Sequence, residues 1–157
     1  MYEKSKTDLE RFLEAQASPI SGYAQAWTEI DDGRKTSHWI WYVFPQLRSL
    51  GQSDIACYYG IANRDEAKRY LEHPTLNERI REISKTLLKH AGRSAVDIFG
   101  TVDAVKVRSC MTMFDCISPN DVFAKVLDVF YGGVRCGRTI AEMQECPVRG
   151  AVADTND

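Results

Sequence analysis

The sequence predicts an all-α protein, a compact single-domain bundle of about seven or eight helices around a central apolar helix. Three observations lead there. Apolar residues recur at helical spacing through most of the chain, and Ser, Thr or Asn followed three residues later by Glu repeatedly precedes them. The stretch TVDAVKVRSCMTMFDCI, 101–117, carries no charge from Ser109 through Phe114 and has apolar residues on most faces, as an enclosed helix would. A length of 157 residues with 44% apolar side chains suits one domain with a sizeable core.

The elements follow in order. Thr7 and Glu10 have capping-box spacing ahead of Leu9, Phe12 and Leu13, and Ser18-Pro19 ends that helix. A second helix carries Tyr23, Trp27 and Ile30 and stops at Gly33. HWIWYVF, 38–44, has strand propensity, but a lone strand among helices has nothing to pair with. It is expected as a buried helix ended by Pro45. Ser53-Asp54 caps a short helix through Tyr59, and Asn63 with Glu66 opens the next, which runs to His73-Pro74. Thr75 and Glu78 open the longest amphipathic helix, striped by Leu76, Ile80, Ile83 and Leu87. Val96, Ile98 and Phe99 then lead to Gly100 and the 101–117 segment. Ser118-Pro119 supplies an N-cap and first-turn proline for the helix of Val122, Phe123, Val126, Leu127 and Phe130, which Gly132-Gly133 stops. Thr139 and Glu142 open a short last helix. The domain is thus expected over 1–146, with 147–157 a flexible tail lacking large apolar anchors.

Charge excludes more than it assigns. Twenty Lys plus Arg against 22 Asp plus Glu leave no global field to draw in nucleic acid, and no apolar run is long enough to span a bilayer. The five cysteines form no CxxC pair and read as free thiols in a reducing, cytoplasmic setting. No metal and no cofactor is called for, since no two histidines have ligand spacing on one helix. The run GGVRCGRT, 132–139, has the glycine spacing of a phosphate-binding loop with Arg138 in place of Lys. A helix rather than a buried strand precedes it, so helix termination explains its glycines.

Several stretches together carry a resemblance. They include Arg11-Phe12 with Ala15-Gln16, Lys35 with SHWxW and Phe44-Pro45-Gln46, and Tyr59-Gly60-Ile61. Further on come YLxHPxL at 70–76, Phe99-Gly100, Asp103, Lys106, Ser109 and Met111–Phe114. From about Asp8 to Met143 the chain resembles the bacterial and fungal family known as domain of unknown function number 1810. The resemblance implies a compact all-helical domain and carries no established reaction. The calpastatin label sometimes attached to the family does not fit, because a disordered protease inhibitor would have no such core. Ser109-Cys110 stands where the family usually has paired serines, and Met113 where it has Leu.

The residues name no reaction, yet they include polar groups that a fold alone would rarely need. Gln16, Lys35, His38, Trp39, Gln46, Lys106, Ser109 and Thr112 come from three segments and would converge if those helices adjoin. His38 and Lys106 are expected to face one cavity, with Gln46 and Ser109 close by. That cavity would take a small polar ligand, anionic or nucleotide-derived. The bland readings are a carbonyl-bonded histidine and a lysine snorkelling from a boundary stripe. The alternative function is a protein-interaction module with an aromatic groove for a peptide.

Overall fold

The computed structural model describes residues 9–147 and 152–153. Within them run α1 (Glu10–Gln16), α2 (Tyr23–Asp32), α3 (Ile40–Val43), α4 (Asp54–Tyr58) and α5 (Arg64–Glu72). They are followed by α6 (Pro74–Leu88), α7 (Ala95–Phe99), α8 (Thr101–Ile117), α9 (Val122–Tyr131) and α10 (Gly137–Met143). A 3-10 turn spans Arg48–Leu50, and β1 (Arg135–Cys136) pairs in parallel with β2 (Val152–Ala153). The fold is all-α. Among the described residues ten helices appear where about seven or eight are expected; α3 and α4, both expected as helices, are single turns of four or five residues, and α7 is a further single turn. Of the 147–157 tail, the described residues include β2, a pairing its composition does not announce.

Helix ends match the sequence where the signal is local. Ser53, Asn63 and Ser94 accept from the N–H groups of Ala56, Glu66 and Asp97, and Gly33 and Gly132 adopt the left-handed conformation at C-termini. At Gly33 (φ 82°) an added Cβ would also sit 2.3 Å from Arg93 Nη1, which donates to the Gly33 carbonyl. His90 Nε2 donates to the Ile30 carbonyl at 2.8 Å, so it closes α2 as well as its own helix.

Other ends differ. Thr7 lies outside the described residues. Glu66 does not reach back to Asn63; it accepts from the Arg11 guanidinium and from the Ala62 N–H. Pro74, not Thr75, opens α6, and His73 Nδ1 accepts from the Leu76 N–H. Asn120 turns left-handed at φ 59°, which delays α9 to Val122 with Asp121 as its cap. The last helix starts at Gly137, so Thr139 is a buried side chain inside it rather than a cap.

The core is continuous. Every residue from Val107 to Cys116 of α8 is buried, and α8 packs on α5, α7, α9 and α10. Phe12, Tyr70, Phe114 and Phe123 form a file of rings 5.2, 5.2 and 5.5 Å apart, running from α1 through α5 and α8 to α9. In the 38–44 segment only Ile40–Val43 is helical. Pro45 bars continuation, and the chain beyond it forms an isolated parallel bridge between Leu47 and Ile61. Trp39 is wholly buried against Phe44, while Trp41 is only half-buried.

Polar anchors set the geometry of this core. Arg11 forms a buried two-pronged pair with Glu66 at 3.0 and 3.1 Å and donates to the carbonyls of Tyr58 and Gly60. Glu29, 4% exposed, accepts from the backbone N–H groups of Thr36 and Ser37, from Trp39 Nε1 and from Gln25. Burial alone would raise the Glu29 pKa; hydrogen bonds from Ser37, Gln25 and the loop backbone outweigh it and lower the carboxyl from 4.5 to about 2.

The cysteine expectation is corrected. Cys116 and Cys146 are joined by a disulfide, because α10 lies along α8 and brings their Cα atoms to 4.6 Å. Cys57, Cys110 and Cys136 are free, and burial raises the Cys110 thiol well above its usual pKa. The bridge removes the inference from free thiols to a reducing compartment. Among the described residues no helix is long and apolar enough to cross a membrane.

Trp39→Ala should cost roughly 3–5 kcal/mol in a urea titration. The half-buried Trp41 should cost less than half of that when truncated, not the same amount; equal midpoint shifts would refute the assignment. The Glu29 contribution is complete above pH 4.5 and is lost as pH falls toward 2. It is on the order of 3 kcal/mol. Glu29→Gln should therefore lose stability at neutral pH and flatten the pH dependence of the urea midpoint in that acidic window.

Candidate functional site

The loop that Glu29 holds delivers Lys35. Its backbone N–H donates to the Ile98 carbonyl at 2.8 Å, which ties the loop to α7. Its ammonium lies 5.1 Å from the Trp39 ring centroid, donates to the Ser37 carbonyl at 2.5 Å, and pairs with Asp103 Oδ2 at 2.8 Å. Asp103 sits in the first turn of α8, where the helix dipole favours a carboxylate. One turn on, Lys106 Nζ is 3.7 Å from Asp103 Oδ1 and 5.5 Å from the Trp41 ring centroid. Two ammonium groups therefore share one carboxylate. Lys35, 7% exposed, is the tightly held member, and Lys106, 23% exposed, is the looser one.

Beside Lys106 lies a small cavity lined by Ile40, Trp41, Phe44, Gln46, Tyr59 and Lys106, with Ala56 and Gly60 completing the wall. Its empty space is about 230 Å³, most of it in the open mouth. What remains enclosed has room for about one water molecule. Gly60 has to be glycine, since a Cβ there would come 2.4 Å from Arg48 Cα across the Leu47–Ile61 bridge. Gln46 is 9% exposed, and its Oε1 is a buried acceptor with no hydrogen-bond partner among the described residues.

Of the residues singled out in the sequence, Gln46 and Lys106 line this cavity, and Lys35 and Trp39 support it through Asp103 and Phe44. The other four do not join it. His38 is exposed and does not line the cavity, contrary to the expectation that it and Lys106 face one space. Glu29 takes the N–H groups on either side of it and draws Trp39 inward, leaving His38 on the outer side of the turn. The Ser109 hydroxyl donates to the Val105 carbonyl within α8. Thr112 donates to the Arg108 carbonyl and accepts from the Cys136 N–H. Gln16 donates to the Tyr42 carbonyl at 2.8 Å and accepts from Arg79 at 3.1 Å, so it is a strut between α1, α3 and α6.

Sequence reasoning missed Glu29, Trp41, Tyr59 and the bridging role of Asp103. Glu29 had a signal: it falls three residues after Ala26 and beside Ile30, on the buried side of α2. Tyr59 and Gly60 reach the cavity through the Leu47–Ile61 bridge, for which no local pattern speaks. Among the described residues no three His, Cys, Asp or Glu side chains are grouped to hold a metal.

Residues 6–143 match the family model described as Protein of unknown function (DUF1810). The chain belongs to this family. Every residue of the cavity and of the Lys35–Asp103–Lys106 trio lies inside the matched range. Among solved structures, the chain is similar to the conserved hypothetical protein Rv1873 from Mycobacterium tuberculosis, with 42% identity and a TM-score of 0.82. The match covers 87% of this chain and 96% of that one. No curated protein matches.

Gln46 offers a test that needs no ligand. A buried acceptor without a partner is destabilising, and an apolar side chain of similar size removes that cost. Gln46→Leu should raise stability by about 1 kcal/mol, read as a higher urea midpoint. A lower midpoint would mean that the amide is already satisfied inside the fold.

Proposed function

We propose that this DUF1810 protein binds a small polar ligand carrying a negative charge, nucleotide-derived compounds included, in the cavity between Trp41 and Lys106. The observation that carries this reading is Gln46 Oε1, a buried acceptor without a partner among the described residues, on a wall shared with an ammonium group. Such an atom costs stability unless water or a ligand serves it. Lys106 supplies charge for an anion, because Asp103 already has Lys35 at 2.8 Å and holds Lys106 only at 3.7 Å. Trp41, Phe44 and Tyr59 provide an apolar surround.

As it stands the cavity has room for about one water molecule, far short of the ~300 Å³ at which ligand pockets usually begin. Entry therefore requires Lys106 and Trp41, which are partly exposed, to move aside. The peptide-groove reading has less support. Trp39, Tyr42 and Phe44 face the core, and among the described residues the exposed large apolar side chains, Ile20, Val96, Val102, Val129 and Val152, include no aromatic.

Calorimetric titration with adenosine 5′-monophosphate (AMP) and inorganic phosphate tests the proposal. At least one should bind, more weakly as ionic strength rises from low to physiological. Lys106→Met, which keeps the aliphatic stem, should bind at least tenfold more weakly, the effect of ~1.4 kcal/mol, at an unchanged melting temperature. If neither probe binds the wild-type protein, or the variant binds as well, the proposal is wrong.

A further inference from the structure

We infer that the Gln46 amide reads the edge of a planar group in the ligand, an edge with an N–H donor next to an acceptor, as in a nucleobase or a carboxamide. The inference rests on the ligand reading of the cavity and adds what that ligand must carry besides its charge. Two buried glutamines make the contrast. Gln16 has both ends of its amide occupied, by the Tyr42 carbonyl and by Arg79. At Gln46 neither end bonds any described residue, although the side chain is as enclosed as a core residue. Oε1 is the buried end that remains to be met, and Nε2, the accessible end, is free to donate beside it.

The main chain that carries the amide is fixed. The Gln46 carbonyl accepts from the Ile61 N–H at 2.9 Å and the Arg48 N–H donates to the Ile61 carbonyl at 2.8 Å, so the main chain on both sides of Leu47 is fixed to one residue. Pro45 restrains the approach from the other side. Around the amide stand the rings of Trp41, Phe44 and Tyr59, and Gly60 adds no side chain to the wall. Flat apolar surfaces around a donor–acceptor pair suit a planar, hydrogen-bonding edge. A carboxylate satisfies Lys106 but brings no donor to Gln46 Oε1, and hydrogen phosphate brings only an O–H, without the flat edge that the surrounding rings suit.

The test compares ligands that differ only at that edge, on the whole chain. AMP has the 6-amino edge and purine riboside 5′-monophosphate lacks it. Nicotinamide mononucleotide has a carboxamide, which nicotinic acid mononucleotide replaces by a carboxylate. Inorganic phosphate reports the anion contact alone. At least one edge-bearing nucleotide should bind wild-type protein tenfold or more tightly than its edge-lacking partner. A preference confined to AMP would identify a base edge, and one confined to nicotinamide mononucleotide a carboxamide. Gln46→Leu should erase the preference. Equal binding within both pairs, or a preference that survives Gln46→Leu, overturns the edge reading while phosphate binding that depends on Lys106 still stands. Loss of all binding, phosphate included, in the wild-type protein overturns the underlying site instead. The ligand pairs need no variant, so the result does not hang on how Gln46→Leu folds.

Discussion

The Glu29 carboxylate gathers two backbone N–H groups, an indole N–H and a glutamine amide, and the course of the chain from Lys35 to Gln46 follows from that. With Thr36 and Ser37 tied to α2, Trp39 is drawn into the core and Lys35 is laid across its ring. From there Lys35 reaches Asp103, and Asp103 in turn meets Lys106. A carboxylate that serves four donors stays charged because they compensate the water it has lost. The charges at the cavity are thus arranged from a residue that does not touch it.

The opposite wall has a separate anchor. Arg11 joins Glu66 and also holds the carbonyls of Tyr58 and Gly60, so the turn that presents Tyr59 and Gly60 is fixed from α1 and α5. A second buried ion pair, Asp115 with Arg135 at 3.1 Å, does similar work at the far end of α8, where Arg135 also donates to the Gly133 carbonyl. Pairs of this kind contribute less through Coulomb attraction than through what they exclude, since a mispaired arrangement would leave a bare charge in the core. Both pairs tie together segments that are distant in sequence, 55 and 20 residues apart.

Legibility in the sequence followed the range of the interaction. Periodicity and nearby caps revealed the all-α class, the stripe of α6 and the ends at Gly33 and Gly132, because those are decided within a few residues. Where a distant partner competes, the local signal misled. Glu66 looked like half of a capping box, but Arg11 claims it from 55 residues away. His38 looked buried because its neighbours are aromatic, yet hydrogen bonds to Glu29 turn that residue outward. Gln46 and Lys106 were legible as polar residues in apolar company. That Gln16, Ser109 and Thr112 spend their hydrogen bonds within the fold could not be read without the partners they find there.

The Cys116–Cys146 bridge bears on the unfolded chain as much as on the folded one. It closes a loop of 30 residues that contains α9, β1 and α10. In the denatured ensemble such a closure removes conformations worth about 3–4 kcal/mol. The same loop holds α8's buried partners near it before they dock, which lowers the entropic cost of bringing α9 and α10 back to that helix. Refolding of the oxidised chain is thereby biased toward rebuilding this C-terminal half around α8, and a thiol reductant would abolish that bias while leaving every apolar contact of the half intact.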